Sequence, residues 1–304
     1  MNLIIIGFGE LGQAFYRASK QTNTVKVVGY HDMVKSNLPL PMEFFSSLET
    51  LVERDVDGYI VTAPQDKQEK IALFLAKTGR KIVMPLPLAN NAKSLVKILE
   101  AVPSNQLFIA PLNCYQRNIQ ALKNHLGQNV LGTIGIAEFS QTIGKLPQEW
   151  YQDISISGGC RYQLLLPLLC EIFFLLGESK ASFGYYSCSG SSDYANCSLQ
   201  LNNGVLVCLE VSWGTEETNR KTIELSGQKG NVSFDSLEAN PALLISKQKL
   251  NNYWDASFEG TAYNPIKLFL DDFALGKQLF TQADVLRFQT LLDSCDDISE
   301  AHHE

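Results

Sequence analysis

The sequence lacks the features that mark several large classes of protein. It has no cluster of Lys and Arg, and its 25 basic residues are outnumbered by 32 acidic ones, for a formal net charge of −7. Nucleic-acid binders carry a clustered basic patch, so a nucleic-acid partner is set aside. No C-x-x-C pair occurs among the seven cysteines, at positions 114, 160, 170, 188, 197, 208 and 295. An odd, scattered set reads as reduced thiols filling small apolar spaces in a cytoplasm, with no disulfide framework and no metal site expected. The N-terminus has no basic segment before its apolar run, so residues 1–7 read as a first strand rather than a signal peptide. The longest apolar run, residues 164–177, is too short to span a bilayer comfortably and carries Glu171. It reads as a buried helix, and no membrane partner is expected. Repeats and low-complexity segments are also missing.

What remains is a globular balance. Hydrophobic residues make up 45% and charged residues 19% of 304, enough for one large domain or two ordinary ones. The first third alternates strand and helix signals. Strands are expected at 3–6, 25–30, 58–62, 81–84 and 107–110, and helices at 10–20, 47–54, 67–78 and 91–102. Units at this spacing predict a doubly wound parallel sheet. The period then changes. Strands are expected at 133–142, 181–189, 197–201, 205–213, 221–225, 231–234 and 242–246, with turn pairs at Asn203-Gly204, Gly227-Gln228 and Lys229-Gly230. These predict an open-faced antiparallel sheet, interrupted by an apolar helix near 160–176. Helices at 265–275 and 282–294 complete the chain. The expected organisation is therefore a dinucleotide-binding domain over 1–115 and a substrate and oligomerisation domain over 116–304. The C-terminal helices are free to pack back on the first domain.

The most informative motif is Gly7-Phe8-Gly9-Glu10-Leu11-Gly12. It follows an apolar strand and opens a helix, which is the context a Rossmann phosphate turn requires. Gly7 permits the tight turn, Gly9 lets the backbone approach a pyrophosphate, and Gly12 lets helix and strand pack closely. Asp32 ends the second strand about 20 residues later, where a carboxylate accepts bonds from the adenosine ribose. It would repel a 2′-phosphate, so NAD is favoured, with NADP left open by Lys35 nearby. Glu10 is negative beside the helix start and must point outward.

With these residues in place, the whole chain resembles the glucose–fructose oxidoreductase, inositol dehydrogenase and MocA family. The order of domains is similar, and so are residues 55–64 (DVDGYIVTAP), 79–83 (GRKIV), the stretch from Trp150 to Gly159, and Leu270-Asp271-Asp272-Phe273 with Gly276. The resemblance implies cofactor contacts from Ala63, Pro64 and Gln65, and from Leu86 and Pro87, whose peptide bond is often cis in the family. It implies substrate contacts from Asn113, Gln163 and Pro167. The resemblance also implies a catalytic lysine, aspartate and histidine, and here the chain departs. Those positions hold Leu86, Gln163 and Pro167. Leu86 and Pro167 cannot take a proton, and Gln163 can only orient by hydrogen bonds. Pro167 also disturbs a helix interior unless a helix starts there. Tyr162, Gln163, Tyr115 and Arg161 are the replacement candidates. Arg161 and Tyr162 have structural alternatives, Glu171 a pairing or capping role, and Trp150 and Trp213 packing roles.

Three functional readings follow. The first is an NAD(P)-dependent oxidoreductase of an unknown small molecule with a non-standard catalytic set. Within it stands a biliverdin-reductase-like variant, since biliverdin reductases share the fold and lack the same Lys, Asp and His. The second is a non-catalytic dinucleotide sensor, and the third a scaffold that has lost its cofactor. In the family one sheet face makes the dimer, and Val205, Val207, Val211 and Leu206 suggest apolar residues on both faces of that strand. A cytoplasmic homodimer or larger homo-oligomer is expected.

Overall fold

The structure, a computed structural model, describes residues 1–146, 148–188, 193–214, 219–235, 244–245, 248–249 and 263–297. Two compact units emerge: Met1–Tyr115 with Asn264–Leu286, and Gln116–Tyr263 with Arg287–Glu304. In chain order the first elements are β1 (Asn2–Ile6), α1 (Glu10–Ser19), β2 (Lys26–His31), β3 (Glu43–Phe45), α2 (Leu48–Val52), β4 (Gly58–Val61), α3 (Gln65–Ala76), β5 (Lys81–Pro85), α4 (Ala92–Ala101) and β6 (Leu107–Ala110). Then come α5 (Arg117–Gly127), β7 (Ile134–Ile143), α6 (Ile154–Ser157), α7 (Leu166–Leu176), β8 (Ser179–Ser187), β9 (Asp193–Leu201), β10 (Leu206–Trp213), β11 (Arg220–Gly227) and β12 (Gly230–Asp235). The last are β13 (Leu244–Ile245), β14 (Gln248–Lys249), α8 (Pro265–Ala274), α9 (Gln282–Asp293) and β15 (Cys295–Asp297).

The first unit is a six-stranded parallel sheet in the order β3-β2-β1-β4-β5-β6. Its central strands are buried on both faces, which is why they read as unbroken apolar runs: Leu3, Ile4 and Ile5 are fully buried, as are Tyr59, Ile60 and Val61. Phe269, Leu270 and Phe273 of α8 join the same core as Leu3, Ile5 and Phe15. Burying three such side chains contributes on the order of 5 kcal/mol or more to holding α8 in this unit.

The second unit is built on a seven-stranded sheet in the order β12-β11-β7-β10-β9-β8-β15. The sheet expected as antiparallel is mixed: β10 runs parallel to β7, and β15 parallel to β8. A parallel pair needs a long crossover, and the helices and the β8–β9 hairpin between β7 and β10 supply it. Burial alternates along β10. Val207, Leu209, Val211 and Trp213 are buried together, while Leu206 is 51% exposed on the other face. Val207 and Val211 therefore share one face and do not testify to two apolar ones. Residues 242, 243 and 246 of the strand expected at 242–246, and 189 of that at 181–189, lie outside the described residues.

The apolar run forms a buried helix, as its composition demands. Ile154–Leu176 is long and apolar enough to cross a membrane by composition, yet 72% of its most apolar window is buried in the fold. Pro167 is accommodated by a π-helical turn, Arg161–Leu165, immediately before α7, with Pro167 in the first turn of that helix. The wider turn removes the demand for an N–H that proline lacks.

Candidate functional site

Because β1, β2, β4, β5 and β6 are parallel, their carboxyl ends share one edge of the sheet. Strand order reverses direction between β1 and β4. A crevice at the carboxyl edge of such a switch point is where open α/β sheets bind ligands. The turns leaving this edge carry the glycine motif after β1, Asp32 after β2, Thr62 to Gln65 after β4, Leu86 and Pro87 after β5, and Asn113 and Tyr115 after β6.

Each glycine is needed for a different reason. Gly7 has φ +93°, and a Cβ there would lie 2.5 Å from the Ala63 nitrogen. A Cβ on Gly12 would collide with the carbonyl oxygen of Gly7. Those two are required by the fold. Gly9 is not: its φ is −69°, and nothing lies within 4 Å of the position a Cβ would take. Neither backbone strain nor packing calls for glycine at 9, whereas close approach of a ligand does. Gly9 is also the N-cap of α1 and supplies no side-chain cap, so the first-turn N–H groups remain available to an anion. Glu10 and Leu11 are exposed. Phe8 turns inward, its ring 4.5 Å from that of Tyr30.

Asp32 is tied to the same turn. One carboxylate oxygen accepts from the Phe8 N–H at 2.5 Å and the other from the Met33 N–H at 2.6 Å. Each oxygen keeps a further lone pair, which is what two ribose hydroxyls require. Thr62, absent from the sequence-based candidates, donates its hydroxyl to the Gly7 carbonyl at 2.5 Å and so braces the turn. Its signal in the sequence is slight, a threonine ending an apolar strand. Gln65 opens α3, and its Oε1 is buried with no hydrogen-bond partner among the described residues. An orphaned buried acceptor beside a glycine turn fits a ligand hydroxyl. The Leu86–Pro87 bond is cis. An adenine dinucleotide fits these residues.

Most of the remaining candidates have partners within their own units. Tyr115 donates its hydroxyl to Asp272 of α8 at 3.1 Å, and burial, with Asp272 adding to it, pushes the phenol well above its usual value. In the second unit Arg161 pairs with Asp293 at 3.0 Å and lies over the Tyr186 ring, 4.4 Å from its centroid. Tyr162 is buried and accepts from Gln289 Nε2 at 3.0 Å. Gln163 donates to the Ser157 carbonyl at 2.7 Å. Asn113 is half-buried in a 3-10 turn, Leu112–Tyr115. Glu171 is fully buried and pairs with Lys221 of β11. Trp213 is 1% exposed, and Trp150 stacks on Tyr151 at 4.0 Å.

No curated protein matches the sequence. Solved structures share the fold across almost the whole chain. A levoglucosan dehydrogenase in complex with NADH and L-sorbose is 16% identical, covering 97% of this chain and 95% of its own, with a TM-score of 0.82. The WlbA dehydrogenase of Bordetella pertussis in complex with NADH and UDP-GlcNAcA is 17% identical, with coverage of 97% and 94% and a TM-score of 0.78. The biliverdin reductase of Synechocystis sp. PCC 6803 in complex with biliverdin and NADP+ is 15% identical, with coverage of 97% and 98% and a TM-score of 0.77. Residues 1–111 match the model of the oxidoreductase family with an NAD-binding Rossmann fold, and residues 119–233 match that of the GFO/IDH/MocA C-terminal domain. With both characteristic domains present in order, the chain belongs to the Gfo/Idh/MocA family of NAD-binding oxidoreductases.

Proposed function

We propose that this protein is an NAD(H)-dependent reductase of a small molecule, working without the lysine, aspartate and histidine that the family resemblance implies. The observation that carries this reading is Gly9, a glycine demanded by neither conformation nor packing and standing at the start of α1. The bound nicotinamide would supply the hydride. The N–H groups of α1 hold the pyrophosphate, with Gly7, Phe8, Glu10, Leu11 and Gly12 shaping the turn. Asp32 accepts from the adenosine ribose and disfavours a 2′-phosphate. Lys35 is exposed nearby, so NADP(H) use is weaker rather than forbidden. Ala63, Pro64 and Gln65 line the ribose side, and Leu86 and Pro87 the nicotinamide side.

Proton handling separates this chain from the usual route. Leu86 has no proton to move. Gln163 and Asn113 orient substrate, and Pro167 only shapes its site. Tyr115 is a poor acid, since burial and Asp272 hold its proton tightly. Water or the substrate itself then delivers the proton, with Tyr162 and Arg161 as polar lining. A panel of carbonyl, imine and tetrapyrrole acceptors, followed by loss of reduced-nicotinamide absorbance with NADH and NADPH, tests this. Turnover of at least one class is expected. Tetrapyrroles are included because of the fold shared with a biliverdin reductase.

A second reading, a dinucleotide sensor without turnover, is favoured by one observation. Arg161, Tyr162 and Tyr115 are engaged by Asp293, Gln289 and Asp272. Calorimetric NADH binding with no turnover of any acceptor selects it, and failure to bind either nucleotide leaves only a scaffold. A homodimer through the outer sheet face is supported by Ile136, Phe183, Tyr185 and Leu206, which are 41–55% exposed there. Cytoplasmic residence is supported by seven cysteines, none of them in a disulfide.

A further inference from the structure

We propose that Cys160, Cys188 and Asp193 form a site for a thiophilic divalent cation, zinc foremost. The three come from different elements of the second unit. Cys160 stands at the start of the helical run that leads into α7, Cys188 directly follows β8, and Asp193 opens β9. Their ligand atoms all lie within 4.8 Å of one another. The two sulfurs are 3.9 Å apart. A tetrahedral zinc with bonds of about 2.3 Å to sulfur sets its sulfur ligands roughly 3.8 Å apart, so the thiols already stand at the separation the ion requires.

The surroundings are shaped for convergence. Gly159 has φ +71°, and a Cβ on it would lie 2.8 Å from Cys188 Sγ and 3.1 Å from Asp193 Oδ2. A side chain there would enter the space where sulfur and carboxylate meet. The Cys160 N–H reaches Asp193 Oδ2 at 3.4 Å and orients the carboxylate. Cys160 and Asp193 are fully buried, whereas Cys188 is half-buried and is the ligand most open to solvent of the three. A divalent ion would take both thiols as thiolates, releasing two protons, with a water completing the fourth position.

A disulfide is the rival use of two neighbouring thiols. It would require the sulfurs to close to about 2.05 Å, and it gives the converging carboxylate no role. The motif escapes a sequence scan because the ligands are spaced 28 and five residues apart, unlike any C-x-x-C pattern.

The test uses the full chain, reduced and stripped of metal. Titration with Cd2+ or Co2+ is expected to give thiolate-to-metal charge-transfer absorption that saturates at one equivalent, and chelator competition gives the Zn2+ affinity. Cys160→Ser and Asp193→Asn are each expected to weaken binding at least tenfold, while Cys208→Ser and Cys197→Ser leave it unchanged. Zinc is also expected to slow alkylation of Cys188 in the wild-type protein at least tenfold, read by peptide mass mapping, which serves if a variant does not fold. No charge-transfer band, a band indifferent to Cys160→Ser, unaltered Cys188 labelling, or a Cys160–Cys188 disulfide forming despite saturating zinc would each overturn the proposal.

Discussion

At the scale of single residues, two glycines three positions apart make opposite predictions. Gly12→Ala puts a methyl group against the Gly7 carbonyl and should destabilise the fold by about 1–3 kcal/mol, the usual range for overpacking. Gly9→Ala meets open space and should change stability by less than about 1 kcal/mol. NADH affinity should nonetheless fall at least tenfold. Denaturation curves paired with calorimetry check both variants. Equal loss of stability in the two would remove the argument that Gly9 serves a ligand. Asp32→Asn keeps an acceptor for the Phe8 N–H but removes the charge, so the ratio of NADH to NADPH affinity should drop about tenfold. An unchanged ratio would mean that Asp32 does not face the ribose. Gly7, Gly9, Gly12 and Asp32 stand out in the sequence because they fall at the spacing of a dinucleotide-binding fingerprint. Thr62 was not, since its role is a bond to a carbonyl 55 residues away.

Helices and strands were legible wherever their apolar pattern was strong, as in the unbroken runs of β1, β4 and α7 and the single apolar face of α1. α5 gave no clear start signal: its N-cap is Gln116, which makes no side-chain cap. β15 reads Cys-Asp-Asp and forms only because it lies parallel along β8. The most consequential contact between elements is that of α7 with β11, through Glu171 and Lys221. Lys221→Met should cost about 3–5 kcal/mol at neutral pH, because it leaves a buried carboxyl without its cation. Burial pushes the Glu171 carboxyl up, with Lys221 opposing only in part. A raised folded-state value means that the native protein holds this proton more tightly than the unfolded chain does. Its stabilising share is therefore full below the ordinary carboxylate range and is lost as pH rises through the folded value. Glu171→Gln should flatten that part of the stability–pH curve. An unaltered curve would show that Glu171 titrates normally.

For the whole molecule, cofactor binding should be visible as stability. NADH at a hundred times its dissociation constant contributes about 2.7 kcal/mol, which raises the melting temperature by roughly 5 °C or more. No shift at millimolar NADH or NADPH would leave the architecture without its proposed ligand. Light scattering at micromolar concentration should report a dimer, and a Leu206→Glu variant should shift it toward monomer. A wild-type monomer would show that the exposed sheet face is not an interface.

The sequence by itself determined the two kinds of domain, the glycine turn with its carboxylate, and the side chains Leu86, Gln163 and Pro167. All of these are set by residue identity and short-range period. Only the tertiary structure decided that β7 and β10 lie parallel, that a π turn absorbs Pro167, that Glu171 meets Lys221, and that two sulfurs and a carboxylate converge beside Gly159. Each of these depends on how distant segments pack together, and local propensity carries no record of that choice.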